Sequence, residues 1–280
     1  MKKSFLFLTS IIFLIHQNIS LAEQREQKKT VIRSIKKVVT PQNVNNFLRN
    51  AYVDSYNIWK KIVSLDSMKV LTVVTPFYLI GRNSDAKVHS KFYDASTHTN
   101  KHQPSKFLKT FLYDEVMSAP IVFSYVVGLL SEDAVTRRFA QIFGTGLVWA
   151  WASKVFVKNV FKTDANLRPG SAEFSHHQRT HGGNPSGHTT QATYLATMLW
   201  LYKGPKYGVP LSLYATAIAG MSVAINHHYL SQVIAGAGCG ALFGIAAYSV
   251  FSDWKLPENL TVSLDVNNQA QLGLKIAYNF

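Results

Sequence analysis

The stretch Asn184-Pro185-Ser186-Gly187-His188-Thr189-Thr190 decides how this chain of 280 residues is read. A serine and a glycine at a turn that opens an apolar helix offer a hydroxyl and unpaired backbone N–H groups. The histidine adds an imidazole at the positive end of the helix dipole. Those are the parts of a phosphate site. Four residues recur by chance, so specificity comes from the flanking pieces. Lys162-Thr163-Asp164-Ala165-Asn166-Leu167-Arg168-Pro169 stands before it, and His227-His228-Tyr229-Leu230-Ser231-Gln232-Val233-Ile234-Ala235-Gly236 follows.

Helix lengths bring these pieces together. Apolar periodicity predicts helices over 107–130, 133–161, 189–202, 211–226 and 230–251, separated by Gly, Pro and Ser breaks. The helix from 189 runs roughly 21 Å, a loop over 203–210 turns the chain, and the next helix returns about 24 Å. His227 and His228 then come back beside His188, at the end of the bundle where helix 133–161 delivers Lys162 and Arg168. Arg168 offers a planar fork for two phosphate oxygens, and Lys162 or Lys158 adds a point charge. Ser186 and the N–H of Gly187 take a third oxygen. One imidazole attacks phosphorus and the other protonates the leaving oxygen, which is phosphoryl transfer through a phosphohistidine.

These residues resemble the type 2 phosphatidic acid phosphatase (PAP2) superfamily, which also holds the class A acid phosphatases and the vanadium haloperoxidases. The likeness covers roughly residues 107–251. It implies an all-α fold, a helical bundle of the PAP2/haloperoxidase type, to which a short C-terminal β-hairpin is added here. It also implies His228 as nucleophile, His188 as general acid, and Arg168, Ser186 and Gly187 as phosphate binders, with no metal or other cofactor. Three departures stand out. Five residues, not six, separate Lys162 from Arg168, and nine separate Lys158 from it, so either lysine is a candidate. The second arginine of the family falls at Ser222. The aspartate that would orient the nucleophile falls at Gln232, whose amide oxygen accepts a hydrogen bond but carries no charge. In serine proteases the corresponding Asp→Asn change costs about 10⁴ in rate.

The remaining sequence frames this unit. Met1-Lys2-Lys3, an apolar run from Phe5 to Ile15 and the small-residue site Ser20-Leu21-Ala22 read as a signal peptide over 1–22. Its removal takes two lysines and no acid, so the net charge falls from +14 to +12. A basic exported protein suits anionic partners, phosphoesters or lipid headgroups, in a periplasmic or envelope-associated setting. The basic residues are scattered rather than striped with aromatics, which argues against nucleic acid. The lone Cys239 excludes an internal disulfide.

Residues 23–105 read as an N-terminal arm, a helix over 47–80 and a polar loop over 82–105. Residues 106–252 form the helical domain. His176, His177 and His181 belong to a Gly-rich loop, as active-site rim, solvated loop or metal ligands. His176, His177, Arg179 and His227 are candidates to restore missing charge. The uncharged runs are mostly short and the mean hydropathy is +0.03, which favours a buried bundle in water over membrane spans. Only 233–251 reaches spanning length, and its glycines at four-residue spacing also suit close helix packing. Alternation over Val262–Val266 and Leu272–Phe280 predicts a hairpin within 259–280. It must pack on the bundle, on a second subunit or on a membrane. The sequence assigns no oligomeric state.

Three functions compete at this stage. The first is an exported phosphatase acting on phosphomonoesters or lipid phosphates. The second is a phosphoanion- or lipid-binding protein on the same bundle, impaired in catalysis by Ser222 and Gln232. A vanadate-dependent peroxidase is the third.

Overall fold

The computed structural model describes residues 41–101, 123, 126–127, 130–131, 133–170, 182–255, 260–266 and 272–278. The signal peptide, most of helix 107–130, His176, His177, Arg179 and His181 lie outside the described residues. The described chain is mainly helical. In order it comprises α1 (Pro41–Ile62), α2 (Leu65–Phe92), a short β1–β2 hairpin (Tyr93–Asp94 with Thr99–Asn100), and α3 (Ala134–Val160). After them come α4 (Gly187–Lys203), α5 (Pro205–Ala224), α6 (Leu230–Lys255) and the hairpin β3–β4 (Leu260–Val266 with Leu272–Tyr278). The terminal hairpin is antiparallel, with Val262 opposite Ile276 and Leu264 opposite Leu274, as the alternation predicts.

Helix ends follow local chemistry. Asp133 caps α3 by accepting the N–H of Thr136 at 2.6 Å, the usual role of a short polar side chain at an N-terminus. Gly204 takes a positive φ of 79° and closes α4, and Pro205 then opens α5 at once. Glycine tolerates that backbone and proline is preset for a first helical turn. The predicted loop over 203–210 therefore reduces to one residue. Pro210 sits inside α5, where it removes one backbone bond close to the helix start, and the helix continues through it.

α6 is the axis of the bundle and packs against α4, α2, α3 and α1; α5 leans mainly on α4. Two glycines allow α6 to lie close on α4. A Cβ on Gly236 would sit 2.6 Å from the Ser186 carbonyl, and one on Gly240 would sit 2.8 Å from the Tyr194 amide. Backbone meets backbone along this seam. Tyr194 is fully buried there and its hydroxyl donates to the Phe143 carbonyl at 2.7 Å. α1 is tied to α3 by a two-pronged pair, Arg138 Nη1 and Nη2 to the Asp54 carboxylate at 2.7 and 2.6 Å.

Two expectations are corrected here. The polar stretch after Gly81 is not a loop: α2 continues to Phe92. Its polarity serves contacts, since buried Asp85 accepts the backbone N–H of Ser231 at 2.9 Å and His89 Nε2 meets the Gly170 carbonyl at 3.0 Å. Nor does the outer surface suit water. α5, 20 residues, and the 25 residues Leu230–Trp254 of α6 are each long and apolar enough to cross a membrane. Val73, Phe77 and Ile80 of α2 and Leu213 of α5 are about 60% exposed or more, at 62%, 59%, 62% and 67%. Two helices of spanning length with large apolar side chains exposed on α2 and α5 suggest association with a membrane. Counting uncharged runs missed this because Pro210 was read as a break.

Candidate phosphate-handling site

The site lies where α3 ends and where α4 and α6 begin. After α3 the chain makes a 3-10 turn over Asp164–Asn166 before reaching Leu167 and Arg168. Asn166, 2% exposed, holds this loop from both sides. Its Nδ2 donates to the carbonyls of Lys158 at 3.0 Å and Phe161 at 2.6 Å. Its Oδ1 accepts the N–H groups of Gly182 at 3.1 Å and Asn184 at 2.9 Å. A single buried amide thus fixes the arginine loop against the loop that leads into α4. Sequence reading passed over Asn166, because an asparagine between a lysine and an arginine carries no distinctive pattern.

Ser186 is fully buried at the start of α4. Its N–H donates to the Gln232 backbone carbonyl at 2.9 Å, and the Thr189 hydroxyl donates to its Oγ at 3.1 Å. Accepting from Thr189 leaves the serine's own proton free for an anion. Gly187 and His188 begin the helix, so the first backbone N–H groups of α4 lack intrahelical partners.

Gln232 is the knot of the site. It is fully buried, and its side-chain Nε2 donates to the carbonyls of Leu167 at 2.6 Å and Ala165 at 3.2 Å. Two carbonyl acceptors require the NH₂ group on that side, so the oxygen must face the other way. There Oε1 meets His228 Nδ1 at 3.3 Å and accepts the Tyr229 N–H at 3.2 Å. An amide oxygen only accepts, so Nδ1 carries the proton and Nε2 keeps its lone pair. Backbone and side chain together make Gln232 touch all three motif segments. Gly183 belongs to the same arrangement, since a Cβ there would lie 2.5 Å from the Gln232 amide.

The charges converge on these histidines. Burial, then the positive charges of Lys158, Arg168, His227 and His188, hold His228 well below the ordinary imidazole value. His188 is pushed down to about 3, by burial first and then by Lys154, His227, Lys158 and Arg168. Lys158 is pushed down to about 7 by burial, with Arg168 and Lys154 adding to it. Without an anion, the site holds neutral imidazoles among like-charged neighbours.

Of the residues singled out in the sequence, the fold gathers Lys158, Arg168, Ser186, Gly187, His188, His228 and Gln232. Lys162 is exposed, two residues beyond the end of α3, and is not among the charges that bear on His188 or His228. Ser222 is fully buried, and its hydroxyl returns to the Ile218 carbonyl at 2.8 Å. Its carbonyl accepts the N–H groups of His227 and His228 at 3.0 and 3.1 Å. The sequence reading missed Lys154, one helical turn before Lys158 on the same face of α3; the four-residue spacing was the available signal.

A slot of ≈ 550 Å³ runs between α4, α5 and α6. It begins at Thr189 and Leu230, each close in sequence to a site histidine, and passes Ala196, Thr197, Ala215 and Ile245. Its walls are apolar. The hydroxyl of Thr216 bonds the Ser212 carbonyl at 2.9 Å, which leaves its methyl group for the slot.

The model of the PAP2 superfamily matches residues 140–256, from within α3 to just past the end of α6. Among solved structures, the chain is similar to the first transmembrane PAP2-type phosphatidylglycerolphosphate phosphatase from Bacillus subtilis. The identity is 16%, over 67% of this chain and 97% of that one, with a TM-score of 0.37. Comparison with curated proteins gives no match.

Proposed function

We propose, from the match of residues 140–256 to the PAP2 superfamily model, that this protein is a membrane-embedded phosphatase that removes the phosphate of a lipid phosphomonoester through a phosphohistidine on His228. The observation that carries the reading is the His228–Gln232 bond, which leaves Nε2 unprotonated beside Lys158 and Arg168.

The chemistry runs as follows. The phosphoryl group binds to Arg168, Lys158, the Ser186 hydroxyl and the N–H groups at the start of α4, where donors and dipole both favour an anion. His228 Nε2 forms the new bond to phosphorus as the bond to the leaving oxygen breaks, and His188 supplies the proton that makes that oxygen an alcohol. Water then attacks the phosphohistidine, with His188 now taking its proton, and inorganic phosphate leaves. Pushed down to about 3 in the empty site, His188 becomes an acid only when the substrate's negative charge offsets its cationic neighbours. The substrate itself switches on the proton donor.

The slot supports a lipid over a small soluble ester, because an acyl chain fits an apolar groove whose lining includes Thr189, the neighbour of His188. Export and a periplasmic face for the site belong to the same proposal, and rest on the sequence of residues 1–22. The test is hydrolysis of a phosphatidic acid in mixed micelles against p-nitrophenyl phosphate, with His228→Ala alongside. Lipid turnover that survives chelation and disappears in His228→Ala supports the proposal; equal lipid turnover in His228→Ala sinks it.

A second reading has its own observation. Gln232 is neutral, so it orients His228 without stabilising the positive charge that develops on it. If phosphate or lipid binds with no turnover by the parent protein, the bundle is a phosphoanion-binding protein.

A further inference from the structure

Lys154 has no role in any motif, yet it reaches the same place as those that do. Its side chain lies across the first residue of α4. A Cβ on Gly187 would overlap Lys154 Nζ and sit 2.9 Å from its Cδ and 3.0 Å from its Cε. Glycine at 187 therefore does two things. It exposes a helix N-terminal N–H, and it leaves the trough in which the lysine stem rests. Trp151, one turn earlier on α3, sits 5.9 Å from the ammonium at its ring centre and closes the other side.

Among the described residues no carboxylate offsets Lys154 or Lys158; their charged neighbours on the protein are Arg168 and each other, with the Cys239 thiol beside Lys154. Two lysines one turn apart and an arginine on the facing loop bring three cations to one helix N-terminus. Burying the two lysine ammoniums together is costly unless an anion joins them. The Lys154 ammonium lies against Gly187, the neighbour of His188, and its charge helps to hold His188 neutral, as Lys158 does for His228.

We infer that Lys154 is a third cationic arm of the phosphate cradle, seated in the trough left by Gly187, and binds the phosphoryl oxygen on the His188 side. Lys158 and Arg168 hold the His228 side, so the anion is gripped across the line between the two imidazoles. This inference rests on the proposed phosphate site, but not on turnover.

The experiment uses the full chain in detergent, carrying His228→Ala so that nothing turns over, and measures inorganic phosphate binding by calorimetry. Lys154→Met should weaken binding about tenfold or more, Lys154→Arg should recover most of the loss, and Lys162→Met should leave it unchanged. A second readout needs no Lys154 variant: phosphate should protect Lys154 and Lys158, but not Lys162, from reductive methylation mapped by mass spectrometry. Phosphate binding within twofold of the parent in Lys154→Met, or protection of Lys158 without Lys154, overturns the inference and leaves the phosphatase reading standing. No phosphate binding in the parent overturns both. Tenfold weaker binding in Lys154→Met beside a wild-type chain that never hydrolyses phosphate upholds the inference and moves the function to the binding-protein reading.

Discussion

The motif end of the bundle and the slot between α4, α5 and α6 meet at Thr189 and are built on opposite rules. At the motif end, polar groups are held by named partners: Asn166 makes four side-chain bonds, and the Gln232 side chain makes four more. In the slot, alanines, aliphatic side chains and threonine methyls form walls without directional bonds. One region tolerates one geometry. The other accepts whatever flexible apolar object fills its volume. Small changes at the first should therefore cost more than large changes at the second, and five measurements test that contrast.

His228→Ala should lower turnover by about 10⁴ or more, the scale on which a nucleophile's loss registers. Gln232→Glu comes next. It adds the charge that the imidazolium would welcome but sets a carboxylate oxygen against the carbonyls of Leu167 and Ala165. Each orphaned buried carbonyl costs about 1–3 kcal/mol. We expect turnover to fall about 100-fold rather than rise, and a rise would break the contrast. Gly183→Ala should cost about tenfold in turnover and roughly 1–3 kcal/mol in stability by overpacking the Gln232 amide, read by kinetics and thermal unfolding.

The fourth measurement is pH dependence. Lys158 is held near 7 instead of 10.5, so in the empty site it loses its proton as pH rises through about 7. A bound dianion restores it. Phosphate affinity should therefore fall above about pH 7, by up to tenfold per unit, with proton uptake on binding detectable in buffers of different ionisation heat. The sign for stability follows: between about 7 and 10.5 the unfolded chain holds a proton that the folded chain lacks. The anion-free fold then gains stability as pH rises across that window. A flat profile would remove Lys158 from the cradle. The smallest effect belongs to the slot, where Ala215→Phe should change the preference among acyl-chain lengths a few-fold and leave hydrolysis of p-nitrophenyl phosphate unaltered.

The contrast also explains what could be read in advance. The start of α4 at Ser186-Gly187, the return of His228 and the terminal hairpin were legible, because each depends on local chemistry or on counted residues. Lys154 and Asn166 were missed since their importance comes from partners on other segments. The polar run after Gly81 looked like a loop because Asp85 and His89 find their partners on α6 and on the loop after Arg168. The membrane-long α5 was hidden behind Pro210, whose cost near a helix start is a single bond.

Asp85 has a consequence of a different kind. It lies on α2, well before residue 140, yet it receives both the backbone N–H and the hydroxyl of Ser231, at 2.9 and 2.5 Å, one residue from Gln232. Asp54 and Arg138 likewise join α1 to α3 from outside the matched segment. The segment that the family model matches is thus shorter than the length that packs together. A fragment cut at 140 and 256 would keep His188 and His228 and lose the carboxylate that starts α6. In this molecule the matched segment and the unit of stability have different borders, and the helix that carries Gln232, the partner of His228, is tied down by a residue beyond the first of them.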